Sequence, residues 1–401
     1  EQQRVAVGRG LGHRLRADVA RRTAGPVLDD HRLAELGAQP LRQMARDPGT
    51  IAMMFFFPII QLLIFGVAIN NDPRHLPLVV ESNDNSAFSR SIVGSLRSTG
   101  YFDVIAVADR FGEGERMIAE GTAQFVLTVP TDFSRALVRG ERPQLLLTVD
   151  ATDPASTGPA VAAVNEAINQ AMARELRGPL TARQQGPPPV SLVLHRSYNP
   201  EGITSHNTVP GLLAIILSMT MVALTAQSVT RETELGTMEN LLATPLRPIE
   251  VMVGKIVPYF GMGLVQVLVV LAAAKIIFAV PFLGSFWLLL FVTLLFTLVS
   301  LALGFTMSTM VKSQVQAMQM SMFYLMPSIL LSGFAFPYRG MPLAAQWLAE
   351  VLPPTHYIRL VRGIMLKGWD ARLAAPETAV LVLMLVVLGT VAVRRYRDTI
   401  A

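Results

Sequence analysis

The sequence has 401 residues, of which 51% are hydrophobic and only 16% are charged. A soluble domain carries about a quarter charged residues, so these values exclude an ordinary soluble protein and indicate a membrane protein. The absence of cysteine excludes a disulfide framework, a thiolate nucleophile and a cysteine-ligated metal. The net charge of +5 is carried almost entirely by arginine. We attribute it to membrane topology and anionic lipids, because no aromatic–basic pattern indicates nucleic acid.

The amino-terminal part contains a basic segment and one apolar run. Residues 1–32 are arginine-rich and predict a disordered basic tail on the cytoplasmic side. No apolar core follows the early arginines before residue 51, so we predict no cleavable signal. Residues 51–69 predict a first membrane span, because about 19 apolar residues suffice to cross the hydrocarbon core. Pro58 and Gln61 within it predict a kink with local hydrogen bonding.

Residues 70–207 form a large polar insert in which strand and helix patterns alternate. This alternation predicts a small α/β domain. Ser156–Arg177 predicts a long helix, residues 178–190 an extended linker, and residues 190–200 the return to the membrane. The four predicted strands are residues 76–80, 101–107, 123–129 and 143–149.

Residues 208–401 predict a five-span membrane domain, which gives six spans in all and places both termini on one side. Arg231, Lys312, Arg394 and Arg395 fall on that side, which the positive-inside rule makes cytoplasmic. The α/β insert is then extracytoplasmic. The predicted spans are about 208–229, 256–280, 286–308, 315–336 and 377–393.

Residues 337–376 are outside by this count and form an unusual segment. Two apolar pieces, Leu343–Leu352 and Tyr357–Met365, are too short to cross a bilayer and predict re-entrant or interfacial helices. The segment also departs from the positive-inside pattern. Its cations are Arg339, Arg359, Arg362, Lys367 and Arg372.

Residues 230–255 are polar and proline-punctuated, and they lie between two apolar runs. Leu235, Met238 and Leu242 recur at i, i+3 and i+7, which predicts a short amphipathic helix. We expect Glu232 and Glu234 in its first turn, where carboxylates favour the positive end of the helix dipole. The pattern alone fits two interpretations, an ordinary solvated helix or a helix that receives force from a partner.

The sequence of this stretch closely resembles the cytoplasmic loop between the second and third spans of type-2 ABC transporter permeases, which have the type V exporter fold. The residues that carry the resemblance are RETELGTMENLLATPLRPIEVMVGKIVPY. LRQMARDPGT, SGFAFPYRGMP and LPPTHYIRLVRGIMLKG resemble further motifs of that family, in its bacterial drug or lipid exporter branch. The resemblance extends from about Leu41 to the carboxyl terminus. It implies an α-helical membrane protein with six transmembrane helices, an extracytoplasmic α/β domain between the first and second, and re-entrant helices before the last.

The resemblance also implies roles for individual segments. Residues 33–50 become an amphipathic elbow helix, although Gly37 and Pro40 depart from the family pattern and would break a helix. Residues 231–243 become the coupling helix that touches an ATPase subunit. Its predicted coupling residues are Glu232, Glu234, Gly236, Thr237, Glu239 and Asn240.

In the family, the second and fifth spans of two permeases line the substrate cavity. The polar and methionine-rich fifth span then forms an adaptable pathway for amphipathic cargo, or, in the alternative, polar and flexible packing between helices. Lys275 lies near the outer end of the third span. We favour extension of its side chain to the membrane interface over a role in transport. The candidate pathway residues are Met219, Met221, Gln319, Met322 and Met326.

We therefore predict a permease subunit of an ATP-driven exporter in the bacterial inner membrane. The chain has no GxxxxGK[ST] motif, so we expect ATP and Mg to bind a separate ATPase, and this chain to be no enzyme and to hold no cofactor or metal. A second permease, alike or paralogous, membrane lipids and a periplasmic adaptor are further expected partners. An ion-coupled carrier is one rival, but we expect no acidic residue inside the spans. A receptor or scaffold with an external sensing domain is the other.

Overall fold

The structure, a computed structural model, describes residues 59, 74–108, 110–152, 154–177, 187–234 and 248–400. The chain divides into two compact units, Glu1–Ile59 and Ile60–Ala401, and all described residues except Ile59 belong to the second. The predicted tail, elbow helix and nearly all of the first span lie outside the described residues.

The polar insert is an α/β domain built on one five-stranded sheet in the order β2-β1-β3-β4-β5. The strands are β1 (Leu76–Ser82), β2 (Phe102–Ala108), β3 (Phe125–Val129), β4 (Gln144–Asp150) and β5 (Ser191–Ser197). β1 pairs in parallel with β2 and β3, β4 runs antiparallel to β3, and β5 is parallel to β4. The four predicted strands are therefore confirmed.

Helices cover both faces of this sheet. They are α1 (Ala87–Ser98), α2 (Glu113–Ala119), α3 (Phe133–Arg139) and α4 (Pro154–Glu175). On one face Ile92 of α1 and Val164 of α4 join a core around Phe125. On the other face Ile118 of α2 packs with Val126. Two covered faces explain why the central strands β1 and β3 are continuous apolar runs.

The segment predicted to return to the membrane instead completes the sheet. Residues 191–197 form β5, which pairs with β4 along its whole length. The physical reason is the alternation of Leu192 and Leu194, which pack partly buried against the core of the domain. The chain enters the helical part at Thr204.

The carboxyl-terminal half is helical. Its helices are α5 (Thr204–Glu234), α6 (Pro248–Ile276), α7 (Phe286–Ser308), α8 (Gln314–Leu331), α9 (Leu343–Glu350), α10 (Pro353–Lys367) and α11 (Ala371–Ile400), with a 3₁₀ turn at Tyr338–Gly340. Within the described residues, four of these helices are long and apolar enough to cross a membrane. They contain Thr204–Arg231, Ile256–Ile276, Phe286–Ser308 and Ala371–Arg395.

The predicted count of six spans is not confirmed by the described residues. The first span lies outside them, and α8 has 18 residues but is less apolar than the other four because it carries three glutamines, Gln314, Gln316 and Gln319. The two predicted short pieces of the 337–376 segment do form helices, α9 and α10. Their 8 and 15 residues are too few to cross the hydrocarbon core.

α5 and α7 form the centre of the helical part, and 67% of the residues in the most apolar stretch of each helix are buried. The corresponding values for α6 and α11 are 17% and 11%, so these two helices expose more of their apolar surface than α5 and α7 do. α10 packs into the core from one end: its Tyr357 ring stacks on Phe296 of α7 at 4.2 Å, and its hydroxyl lies 2.8 Å from the Thr293 hydroxyl.

The loop between α6 and α7 is fastened to α10 through its backbone. The amides of Leu283 and Gly284 donate to the carbonyl oxygens of Met365 and Ile364, each at 3.0 Å. A Cβ at Gly284 would lie 2.6 Å from the Ile364 oxygen, so only glycine permits this approach.

Candidate functional site

The α/β domain meets the helical part where the carboxyl end of α2 faces the segment between α8 and α11, a contact we call the junction. The last carbonyl groups of a helix have no donors of their own and attract cations and N–H groups. Arg339 donates to the carbonyl oxygens of Gly121 and, at 3.0 Å, Thr122. The Trp369 indole nitrogen donates to Ala119 at 2.8 Å.

A buried ion pair adds to the junction. Lys367, the last residue of α10, lies 2.5 Å from Asp150 at the end of β4, and the two side chains are 7% and 10% exposed. Its ammonium group also donates to the Ile118 carbonyl at 3.1 Å. Asp150 in turn accepts from the amide and hydroxyl of Thr152. Both charges are thus compensated, as burial requires.

The Trp369 ring lies between the two parts of the molecule. A Cβ at Gly363 of α10 would come within 2.3 Å of the ring, and one at Gly121 would lie 3.4 Å from it. The position therefore requires glycine for steric reasons, since any side chain at residue 363 would displace the indole.

A second charged cluster joins α9, α10 and α11. Arg359 contacts Glu350 at 2.6 Å and Glu377 at 3.1 Å. His356 places Nδ1 2.6 Å from Glu377 and Nε2 2.9 Å from the Glu350 carbonyl oxygen. Both ring nitrogens face acceptors, an arrangement that only the imidazolium satisfies fully.

These contacts shift the pKa values of His356 and Glu350, two residues that lie outside the predicted spans. Burial opposes the charged imidazolium, but the hydrogen bonds to Glu377 and the Glu350 carbonyl outweigh it and raise the pKa of His356 above its ordinary value. Burial likewise opposes ionisation of Glu350, but hydrogen bonds from Arg359 and Tyr338 hold its pKa below its ordinary value.

A cavity of about 380 Å³ lies between the α/β domain and the helical part, beside the junction. Both charged clusters contribute to its lining, together with the Trp369 ring. Its charged lining residues are Glu120, Asp150, Glu350, Glu377, Arg339, Arg359, Arg362 and Lys367.

The carboxyl end of α5 makes a different contact. The Glu234 carboxylate accepts from the backbone amide of Gln314 at 3.2 Å and from its side-chain amide at 2.9 Å. Gln314 is the first residue of α8, where a carboxylate favours the helix dipole. One exposed side chain thus ties the end of α5 to the start of α8.

Glu232 and Glu234 do not begin a separate helix, as the sequence predicted. They lie in the last turn of α5, because the sequence between Val229 and Glu234 contains no helix breaker and the span continues through it. Gly236, Thr237, Glu239 and Asn240 lie outside the described residues, so their predicted role in coupling stays a prediction.

The predicted pathway residues occupy different environments. Met219 on α5 and Met322 on α8 are exposed, at 45% and 43%, whereas Met221 is 1% exposed and faces Gly263 inside the protomer. Gln319 and Met326 are half-buried, and the Gln319 carbonyl oxygen has no hydrogen-bond partner within the described part of the chain. α5 and α8 are linked by the Ser218 and Tyr324 hydroxyls, 3.1 Å apart.

The expectation that no acidic residue lies inside a span is wrong at Glu377. This residue belongs to the span-forming stretch Ala371–Arg395. Its carboxylate is tolerated there because Arg359 and His356 neutralise it. Lys275 lies exposed in the last turn of α6, 5.5 Å from the centre of the Phe282 ring, a position that suits extension to an interface.

No sequence pattern predicts that Asp150, Lys367 and Trp369 lie together at the junction. The one available signal was the excess of cations in residues 337–376. The structure accounts for four of them locally, because Arg339 and Arg362 bind backbone carbonyls while Arg359 and Lys367 bind carboxylates.

Comparisons with known proteins identify the family of this chain. The family model described as "ABC-2 family transporter protein" matches residues 48–394. The chain is similar to "Probable multidrug ABC transporter permease YbhS" of Escherichia coli (strain K12), with 27% identity over 347 residues, 86% of this chain and 91% of the relative. It is also similar to "Inner membrane transport permease YhhJ" of the same strain, with 28% identity over 380 residues, 91% of this chain and 96% of the relative.

A more distant similarity reaches "ABC transporter G family member 20" of Dictyostelium discoideum, with 25% identity over 83% of this chain and 46% of that protein. The family model covers most of the sequence, including the α/β domain and every helix from α5 to α10. The chain therefore belongs to the ABC-2 family of transporter proteins and is a membrane permease of an ATP-binding cassette transporter.

Proposed function

We propose that this permease exports amphipathic cargo, such as drugs or lipids, from the cytoplasm or the inner leaflet of a bacterial inner membrane. A separate ATP-binding cassette subunit binds ATP and Mg and docks on the segment that contains Glu232, Gly236, Thr237, Glu239 and Asn240. The two relatives from Escherichia coli are named as permeases, which supports this division of labour.

The Glu234–Gln314 contact is the observation that supports transmission of movement from α5 to α8. α5 is continuous over 31 residues, from the α/β domain to the predicted docking segment. Displacement of that segment therefore acts directly on α5 and, through Glu234, on the first turn of α8. These are the two helices assigned to the cargo pathway, and Met219 and Met322 give them exposed, adaptable surface.

We further propose that the α/β domain is extracytoplasmic and that both termini are cytoplasmic. Four cations lie near the ends of α5, α8 and α11 that are farther from the α/β domain: Arg231, Lys312, Arg394 and Arg395. The positive-inside rule requires such cations at a cytoplasmic face. A second permease, alike or paralogous, completes the pathway, and the external domain receives cargo or docks a periplasmic adaptor.

The decisive experiment is a search of the genome for a Walker-motif ATPase gene near that of the permease, co-purification of the two proteins, and cargo-stimulated ATPase and vesicle transport assays. Glu239→Arg places a cation in the predicted docking helix. We expect it to lower cargo-coupled ATPase activity while membrane insertion and the amount of purified permease stay unchanged.

Glu201→Arg is the matched control, because it makes the same charge change at an exposed residue just before the other end of α5. It should leave coupling at the wild-type level. Unchanged transport in the Glu239 variant would refute the docking role, and failure of any ATPase to associate would refute the proposed division of labour.

A further inference from the structure

The cavity beside the junction is large enough for a ligand group. Its volume of about 380 Å³ falls within the range of about 300–1,000 Å³ that is usual for small-molecule sites. Its wall combines charged side chains with the flat ring of Trp369 and the backbone of three glycines, Gly121, Gly333 and Gly363.

The carboxylates that line this cavity are already neutralised. Asp150 pairs with Lys367 at 2.5 Å. Glu350 and Glu377 share Arg359, and His356 supplies a second cation to them. Glu120 faces Arg116 one turn away at 3.5 Å. None of these acids is left to balance a further cation.

Arg339 is a cation of this lining whose charge is not balanced by a nearby carboxylate of the described chain. Among the described residues, no carboxylate lies within ion-pair distance of it, and its hydrogen bonds reach only the uncharged carbonyls of Gly121 and Thr122. Burial lowers the pKa of Arg339, because the guanidinium has lost much of its water. A bound anion would replace that lost stabilisation.

Two neighbours in the lining add hydrogen-bonding capacity. Arg362 donates to the Gly333 carbonyl at 3.1 Å and presents a second guanidinium to the cavity wall. Ser332 is 2% exposed, and its hydroxyl has no hydrogen-bond partner within the described residues. A buried hydroxyl without a partner is costly unless a ligand or water supplies one.

We propose that this cavity binds a phosphate group, held by the guanidinium group of Arg339 and the hydroxyl of Ser332, with the Arg362 guanidinium in the same wall. Guanidinium forks match phosphate oxygens in pairs, which favours phosphate over a spherical anion. On the proposed export function, the group is the headgroup of a phospholipid-like cargo at the outer end of its path. A free phosphate ion is the other source with the same chemistry.

The test uses the purified full chain in detergent and measures binding of three probes by calorimetry. They are dihexanoyl phosphatidic acid, dihexanoylglycerol and inorganic phosphate. Wild type should bind phosphatidic acid and not dihexanoylglycerol. Arg339→Gln should weaken binding roughly tenfold or more, since a hydrogen bond to a charged group is lost. Arg372→Gln, which removes an exposed cation outside the cavity lining, is the matched control and should bind as wild type.

Because Arg339 also fastens the junction, Ser332→Ala provides an independent variant. It should weaken binding several-fold without lowering the unfolding temperature of the unliganded protein. Competition by inorganic phosphate at similar affinity would identify a free anion, and its absence a headgroup; both support a phosphate site. Equal binding of dihexanoylglycerol, or unchanged affinity in Arg339→Gln and Ser332→Ala, would overturn the proposal.

The assay contains no ATPase and no nucleotide. Failure of an ATPase to co-purify would therefore refute the export mechanism and leave the phosphate site standing. Loss of the phosphate site would in turn leave ATPase coupling at Glu239 unaffected.

Discussion

The two ends of α5 differ in their surroundings, and the junction lies near the first of them, because the Lys367 ammonium group is 5.5 Å from the centre of the Tyr198 ring, shortly before α5 begins. At the junction, Lys367 and Asp150 are almost fully buried, and Arg339 and Trp369 bind carbonyls across the same contact. At the other end, the exposed Glu234 contacts the start of α8. Water screens the exposed contact and makes it cheap to break, whereas separating the buried pair leaves charges without solvent. The junction is built to stay closed, and the opposite end can yield.

The largest expected effect comes from breaking the buried pair. Lys367→Met leaves the Asp150 carboxylate buried without its cation, so we expect the free energy of unfolding to fall by about 3–5 kcal/mol. Thermal unfolding in detergent measures it.

Adding Asp150→Asn to the Lys367 variant should recover most of the loss, because the buried charge is then gone. Lys312→Met, at an exposed lysine beside α8, is the control and should change stability little. Equal losses in the two lysine variants would contradict the contrast between the two ends.

A steric change at the junction should have an intermediate effect. Gly363→Ala places a Cβ within 2.3 Å of the Trp369 ring and should cost about 1–3 kcal/mol of unfolding free energy. Gly389→Ala in α11 meets nothing within 4 Å and should be neutral or stabilising, because alanine favours helix. If both variants unfold alike, the indole does not pack as described.

Protonation of the second charged cluster should make stability depend on pH. The pKa of His356 is raised in the folded state, so its contribution is complete below the ordinary value of 6.5 and disappears as the pH rises through the raised value. Glu350 has a lowered pKa, so its contribution is present above 4.5 and is lost as the pH falls through the lowered value. His356→Gln should flatten the alkaline side of the profile of unfolding temperature against pH, and an unchanged alkaline slope would argue against an imidazolium here.

The smallest stability effect belongs to the exposed end. Glu234→Gln removes a carboxylate from the start of α8 and should cost less than about 1 kcal/mol of unfolding free energy. The same variant should reduce cargo-stimulated ATPase activity if the contact transmits movement. A loss as large as that of the Lys367 variant would show that the two ends are not different in kind.

Local patterns in the sequence were sufficient for most of the α/β domain and for the short helices of the 337–376 segment. Apolar runs such as 123–129 and short helical stretches such as 357–365 carry their own structure, because periodicity decides which face is buried. β5 does not follow from the sequence, since the alternation of Leu192 and Leu194 fits an approach to the membrane as well as an edge strand. The continuation of α5 through Glu234 does not follow either, because charged residues fit a helix boundary as well as a continuing helix.

The junction could not be predicted from local patterns. Arg339 binds carbonyls more than 200 positions earlier in the chain, and the Lys367–Asp150 pair spans a similar separation. A backbone carbonyl as a partner leaves no trace in residue type, so Gly121 and Thr122 gave no signal. The requirement for glycine at position 363 becomes apparent only when the position of the Trp369 ring is known.

The position of the Trp369 indole also gives the protein an internal optical reporter. The chain contains three tryptophans, and Trp287 and Trp347 are 75% and 77% exposed. Replacing those two by phenylalanine would leave one emitter, wedged between glycines of two separate parts of the molecule. Its emission wavelength and its accessibility to acrylamide would then report whether those surfaces stay together during turnover, without any attached dye.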